Sequence, residues 1–291
     1  RLDKHNLVDH VIFSPRVNVR FNPSEAVNLR VSYAGGYRAP QAFDEDMHIA
    51  IVGGKRVRIR LADDLREERS HSVSLSADLY HTFGKVQTNL LVEGFYTILD
   101  DVFALRDMDD AADGGKVKER YNGSGATVRG FNVEGRAAFT RWFELQAGVT
   151  LQQSRYKEPE FWSEDAEVPP VRRMFRTPDA YGYFTASFKP VRNFTADLSG
   201  TCTGSMLVQH MAGSGVAQDV AVSTPSFFDM NIRLSYDVRI YKEITMQLYG
   251  GVQNLFNAYQ KDFDKGVDRD SGYIYGPSLP RSWFVGAKFS F

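Results

Sequence analysis

Apolar side chains fall on every second residue of this chain, stretch after stretch, and a period of two fixes the local backbone as β-strand. In the last nine residues Trp283, Val285, Ala287, Phe289 and Phe291 share one face; Phe284, Gly286, Lys288 and Ser290 share the other. The alternation runs through Val17, Val19 and Phe21 against Arg16, Asn18 and Arg20, and through Val27, Leu29, Val31 and Tyr33 against Asn28, Arg30 and Ser32. It returns in Val73, Leu75, Ala77 and Leu79, in Phe131, Val133, Ala137 and Phe139, and in Phe143, Leu145, Ala147, Val149 and Leu151. It is most regular in Phe228, Met230, Ile232, Leu234, Tyr236 and Val238. No segment carries a helical period.

Counted from Val11, the pattern predicts about eleven strands, with one running unbroken from Val86 to Phe103. Short links fall near Pro23, Gly84, Arg141, Pro190 and Arg239, and long polar links near 38–66, 106–118, 157–173, 208–224 and 258–279. Short turns on one rim and long loops on the other describe an all-β, antiparallel transmembrane barrel. A soluble β-sandwich does not sort its loops this way. Single-chain bacterial barrels close with an even number of strands, so an odd count predicts half of a larger wall.

The composition does not contradict a membrane. The chain is 43% hydrophobic and 24% charged, with a mean hydropathy of −0.35. A transmembrane strand shows lipid only alternate residues, over about 9 to 11 positions, so such values are compatible with a barrel. Aromatics at 13% suit girdles at both interfaces. The net charge of −1 gives no field for nucleic acid, and the single Cys202 cannot form an internal disulfide. The start Arg1-Leu2-Asp3-Lys4-His5 has neither initiator Met nor signal peptide, so the chain is expected to begin partway through something larger. Arg16, Arg20, Arg30, Asp78, Glu93, Glu134, Arg136, Asp197, Asp229, Arg233 and Asp237 fall on the polar faces and predict a charged lumen, either water-filled or packed on a polar plug.

Several stretches resemble the carboxy-terminal half of the barrel of TonB-dependent outer-membrane transporters. They are Tyr33-Ala34-Gly35-Gly36-Tyr37-Arg38-Ala39-Pro40, Glu67-Glu68-Arg69-Ser70, residues 95–103, residues 252–259, and Tyr275-Gly276-Pro277 running through Trp283 to the terminal Phe291. The resemblance covers essentially the whole chain, in order. It implies a barrel of about twenty-two strands, of which residues 1–291 supply the second half as a single domain, without the plug or the first half. It also implies a Gram-negative outer-membrane location and import of a scarce large nutrient, energised by TonB through the plug. A ferric siderophore or a corrinoid is the expected ligand, with a metal chelate or peptide behind them. Trp283, Val285, Phe289 and Phe291 resemble the terminal signal by which the barrel-assembly machinery recognises such proteins for insertion. The alternatives are a passive channel and a surface-binding barrel. An enzyme is not expected: in Ser70-His71-Ser72 the His and the following Ser point to opposite faces, with no acid partner to assign.

Binding residues are expected in the long loops. Arg38, Phe43, His48, Arg56 and Arg58 offer cations and rings to an anionic chelate, although a basic run also suits a solvated loop or anionic outer-membrane lipid. Phe161, Trp162, Tyr273 and Tyr275 offer flat stacking surfaces, or interfacial anchors. His210-Met211 and Met47-His48 suit a soft metal, but nothing in the sequence brings those loops together. No cofactor is expected, unless Asp262, Asp264, Asp268 and Asp270 hold a loop calcium ion with a spacing unlike that of an EF-hand. Residues 1–291 alone are expected not to give a closed, heat-resistant barrel; comparing the gel mobility of heated and unheated samples in detergent checks this.

Overall fold

The computed structural model describes residues 1–41, 57–108, 116–163, 165–277 and 279–291. Among them there are nineteen strands and no helix. One antiparallel sheet dominates. Its path joins, each to the next, β3 (Arg16–Ser24), β4 (Val27–Arg38), β6 (Glu68–Phe83), β7 (Val86–Asp100), β10 (Ala126–Thr140), β11 (Phe143–Glu160), β13 (Ala180–Val191), β14 (Phe194–Thr203), β17 (Phe227–Tyr241), β18 (Ile244–Gln253) and β19 (Ser282–Ser290). The path therefore has the eleven strands that the alternation predicts. A twelfth, β12 (Val171–Arg173), pairs with the upper part of β11. The path ends at β3 and β19, which do not pair with each other among the described residues.

The remaining strands are short and lie at the long-loop rim. β1 (Leu2–Lys4) and β2 (Val11–Phe13) form a hairpin, as do β15 (Leu207–His210) and β16 (Val220–Ser223). β9 (Lys116–Asn122) pairs antiparallel with β8 (Phe103–Asp107) and parallel with β5 (Val57–Leu61). These strands correct the expectation of plain polar links. They also split the predicted 86–103 strand: β7 stops at Asp100, Asp101 takes a positive φ of 55°, and the chain restarts as β8 in a different sheet. Two of the short turns lie slightly later than predicted, at 192–193 and 242–243. Pro190 stays inside β13 at a shift of register, where the missing N–H breaks no ladder bond. Gly84 opens the two-residue turn between β6 and β7 with φ of 63°, the left-handed geometry that tight hairpins need.

The wall is inside-out by the standards of a soluble sheet. Val73, Leu75, Val133, Phe131 and Val285 are exposed, Leu75 at 61% and Val285 at 90%. Between them, Ser72, Ser74, Ser76 and Asp78 are half-buried. Side chains crowd on the inner side of a curved sheet and stand apart on the outer side, so the polar face lines the lumen and the apolar face meets lipid. Ten residue steps separate Phe143 from Gln153 on β11. That is about 33 Å along a strand, and a tilt of about 40° reduces it to about 25 Å, the height of a barrel's apolar band. Aromatics mark both ends of the band. Trp142 meets Phe188 edge-on at 5.3 Å and Phe139 stacks on Phe143 at the short-turn rim, while Tyr33 and Tyr96 stand on the outer face toward the long-loop rim.

The lumen face is tied strand to strand. Asn132 donates to Glu93 at 3.0 Å and accepts from Thr150 Oγ1 at 2.8 Å. Glu134 accepts from Gln146 at 2.8 Å and from the Tyr183 hydroxyl at 2.6 Å. Arg136 donates to Glu144, Ser187 to Asp197, and Gln247 to Asp237. These bonds pair charges that would otherwise be costly beside so much apolar surface. Val133→Arg on the lipid face is expected to cost about 2–4 kcal/mol near mid-bilayer. Thr185→Asn on the lumen face should stay within about 0.5 kcal/mol. Reversible urea unfolding in lipid vesicles measures both.

Candidate functional site

Two clusters are built at the long-loop rim. The first stands on the upper ends of β4 and β6. Arg38 is the last residue of β4 and shares the lumen face with Glu68 opposite, to which its Nε donates at 2.7 Å. Its guanidinium also lies 4.9 Å from the centroid of Phe103, the first residue of β8. The Phe103 amide donates to the same Glu68 carboxylate, so one acid fixes both the strand restart and the arginine. On β9, Arg120 is buried and reaches the Gln41 carbonyl at 2.6 Å; its guanidinium lies 5.7 Å from the Phe103 ring. Glu119, also buried, takes Arg106 and lies 3.9 Å from Arg60. Asn122 closes the base, accepting from the Arg66 amide and donating to the Arg66 and Asp101 carbonyls. A cavity of about 440 Å³ adjoins Arg38, Glu68, Ser70 and Leu99.

The second cluster joins hairpin β15–β16 to the segment 254–281. His210, at the end of β15, points Nε2 at both oxygens of Asp264, 3.0 Å from each, and stacks on Tyr273 with ring centroids 3.7 Å apart. Asp264 also accepts from the Asp270 amide, and Asp270 from the amides of Met211 and Gly272. Asp262 accepts from the hydroxyls of Tyr273 and Tyr275. The hub is the buried Gln260: its Nε2 donates to the Tyr273 carbonyl and its Oε1 accepts from the Tyr275 amide, while its own amide donates to the Pro277 carbonyl. Arg176, held at a positive φ of 57°, donates to the carbonyls of Gly272 and Ile274. Burial first, and then the charge of Asp262, push the Tyr273 phenol up to about 12; the same causes raise Tyr275.

The expected site residues divide accordingly. His210, Tyr273 and Tyr275 come together from separate loops, which no sequence feature foretold. Arg38 stands in the first cluster, and the exposed Arg58 is on β5 beside it. Trp162 packs edge-on against Phe175, while Phe161 is 73% exposed. Phe43, His48 and Arg56 lie outside the described residues. Of the four aspartates of 262–270, Asp262, Asp264 and Asp270 serve different donors, and no group of three His, Cys, Asp or Glu suited to a metal occurs among the described residues. His71 and Ser72 point to opposite faces, one accepting from or donating to the Tyr33 hydroxyl and the other bonded to Thr97. Gln260, Arg176, Arg120 and Phe103 were not legible as site residues; a lone polar residue in a loop carries no spacing signal.

The family model for the TonB dependent receptor-like β-barrel matches residues 1–255. No curated protein matches the chain in sequence. Among solved structures, the ferric enterobactin receptor of Pseudomonas aeruginosa, in a mutant form, aligns at 16% identity with a TM-score of 0.66, over 98% of this chain and 41% of that one. The siderophore receptor PirA of Acinetobacter baumannii aligns at 16% with a TM-score of 0.64, over 100% and 42%. The ferric-catecholate import receptor Fiu of Escherichia coli K12 aligns at 15% with a TM-score of 0.63, over 96% and 35%. At such identities the likeness is one of fold, and the chain spans less than half the length of each of these structures.

The raised phenol sets a sign. Tyr273 ionises at about 10 when unfolded, so the stability its neutral form gives the second cluster is complete below pH 10 and lost as pH rises toward 12. Amides of 258–277 are expected to lose exchange protection over that window, while strand amides keep theirs. Asp262→Asn should bring the Tyr273 titration, followed by phenolate absorbance, back toward 10.

Proposed function

Because the chain belongs to the TonB-dependent receptor-like β-barrel family and forms an arc of an outer-membrane barrel wall, we propose that it serves a receptor that imports a ferric siderophore. The observation that carries this reading is the family match, joined to a fold shared with receptors named for ferric enterobactin, siderophores and ferric catecholates. The first cluster suits such cargo chemically. Arg38 stands on the lumen face at the loop rim, half-exposed beside a cavity, with its guanidinium over a ring. A ferric chelate of aromatic oxygens is anionic and flat-sided, and a guanidinium on an aromatic platform offers it charge, hydrogen bonds and stacking at once. The exposed ring of Phe161, and Tyr275 in the second cluster, present further flat surface from other loops.

In this reading a plug inside the barrel would meet the charged lumen face, with uptake energised through TonB. Trp283, Val285, Phe289 and Phe291, exposed along β19 and just beyond it, would serve the assembly machinery as the terminal recognition strand.

Cells lacking their own receptor, complemented with the intact protein that carries this barrel, provide the test. Uptake of a labelled ferric catecholate is expected, and an uncoupler should abolish it. Arg38→Ala should weaken surface binding about tenfold, the loss of a hydrogen bond to a charged group. Uptake indifferent to the uncoupler would make the barrel a passive channel, and uptake of a corrinoid in place of the ferric chelate would replace the cargo.

A further inference from the structure

We propose that the outer face of this wall carries a built seat for one anionic, phosphate-bearing lipid of the outer leaflet. Its head would lie at Arg129, Arg155 and Arg173, with a chain in the apolar groove beneath. The proposal rests on the membrane placement of the barrel and not on its cargo.

The groove comes first. A depression of about 660 Å³ crosses the outer face of β6, β7, β10 and β11, lined by Val73, Leu75, Tyr96, Phe131 and Leu151. Gly94 leaves its floor low, and the Phe131 ring lies along it, 3.4 Å from where a Cβ would stand. A second cavity of about 410 Å³ lies where β12 takes over from β13 as the partner of β11, and is lined by Ser154, Arg155, Arg172 and Arg173. Both cavities include Gln152, Gln153 and Asp179, so the apolar space and the basic space adjoin.

Register gives the depth. Leu75, Gly94, Phe131 and Leu151 form one outward row across four strands. The next row up is Val73, Tyr96, Arg129 and Gln153, and the one above it is His71, Ile98, Thr127 and Arg155. The lipid face therefore turns from wholly apolar to cationic within two rows, at the level where headgroup phosphates lie.

The cations there lack compensation. Arg129 donates to Gln153 at 2.8 Å, and neither Arg129 nor Arg155 has a carboxylate partner among the described residues. Arg155 and Arg173 are direct cross-strand partners, and opposed like charges on one face destabilise a sheet. Asp179 answers only Arg173, at 3.0 Å. One buried donor on this face, Arg173 Nε, has no partner among the described residues, while Nη2 of the same guanidinium donates to the Ser205 carbonyl at 2.9 Å. A phosphate between these groups would neutralise the arginine pair and accept from the orphaned Arg173 Nε, because its oxygens are acceptors that guanidinium forks match. A free anion explains the basic cavity but not the apolar groove that continues from it. An acylated phospholipid or glycolipid explains both.

The test uses the intact receptor in nanodiscs, with diphosphorylated lipid A as the probe and native mass spectrometry as the readout. One lipid should be retained per receptor. Arg129→Gln with Arg155→Gln should weaken retention about a hundredfold, roughly tenfold for each lost charged contact. Arg30→Gln in the lumen should change nothing. Gly94→Phe, which fills the groove without touching a charge, should also release the lipid. Should the double variant fail to assemble, judged by heat-modifiable mobility, the wild-type protein still decides: dephosphorylated lipid A must bind about tenfold more weakly or worse. Equal binding of the two lipids would overturn the proposal, as would wild-type retention in an assembled double variant. Displacement by inorganic phosphate would mean a site for a free anion and would overturn it as well.

Discussion

Everything in this wall follows from the backbone's hydrogen bonds having nowhere to go but sideways. In hydrocarbon each unpaired N–H or C=O costs several kcal/mol, so the ladder from β3 to β19 has to run without a gap through the apolar band. That requirement explains where irregularities sit. Pro23 and Pro190 lie at register shifts next to the short turns, outside the paired rungs. The one place where β11 changes partner, from β13 to β12, lies above Leu151 and so above the apolar rows. The chain spends its irregular backbone where water or headgroups can satisfy it.

A continuous ladder still leaves register free, and the side chains settle it. Because the period is two, a slip of one residue would turn every lumen charge into the lipid. Glu93, Glu134, Arg136, Asp197 and Asp237 each hold a polar partner on the lumen face, and Asp197 is paired in register with Arg233. Individually such bonds contribute little in a wet lumen. Their collective effect is to make the wrong register far more expensive than the right one, which is a stronger constraint than their strength alone would suggest. The lipid face asks only for apolar bulk, and Leu, Val and Phe alternate there with no evident pattern.

The same asymmetry decides what could be read from sequence. The eleven strands, their alternating faces and the sorting of short and long links are local properties, written residue by residue from Arg16 to Ser290. The rim is not local. Sheet β5–β9–β8 depends on a parallel pairing between segments about sixty residues apart, and the approach of His210 to Tyr273 brings together loops that share no pattern. Reading 86–103 as one strand failed because β-propensity continues through Phe103 while Asp101 turns the backbone away at a positive φ, a conformation the sequence does not advertise. The expected ligand-binding residues all have a visible rationale in charge or aromaticity; Gln260, which organises a whole loop through four hydrogen bonds of its side chain and backbone, has neither.

The two rim clusters are held by different physics. The first continues the wall's own device: the β4–β6 ladder carries Arg38 and the β8–β9 ladder carries Phe103, so both stand on paired backbone. The second has no ladder among the described residues of 254–281. It is held by buried polar contacts radiating from Gln260, Asp262 and Asp264, each of which demands its partners or leaves an unsatisfied group behind. A ladder loses its pairs one at a time from an end, whereas a hub loosens as a unit once its centre is breached. The first cluster is thus an extension of the wall's own ladder, and the second is a set of buried polar contacts that depend on one another.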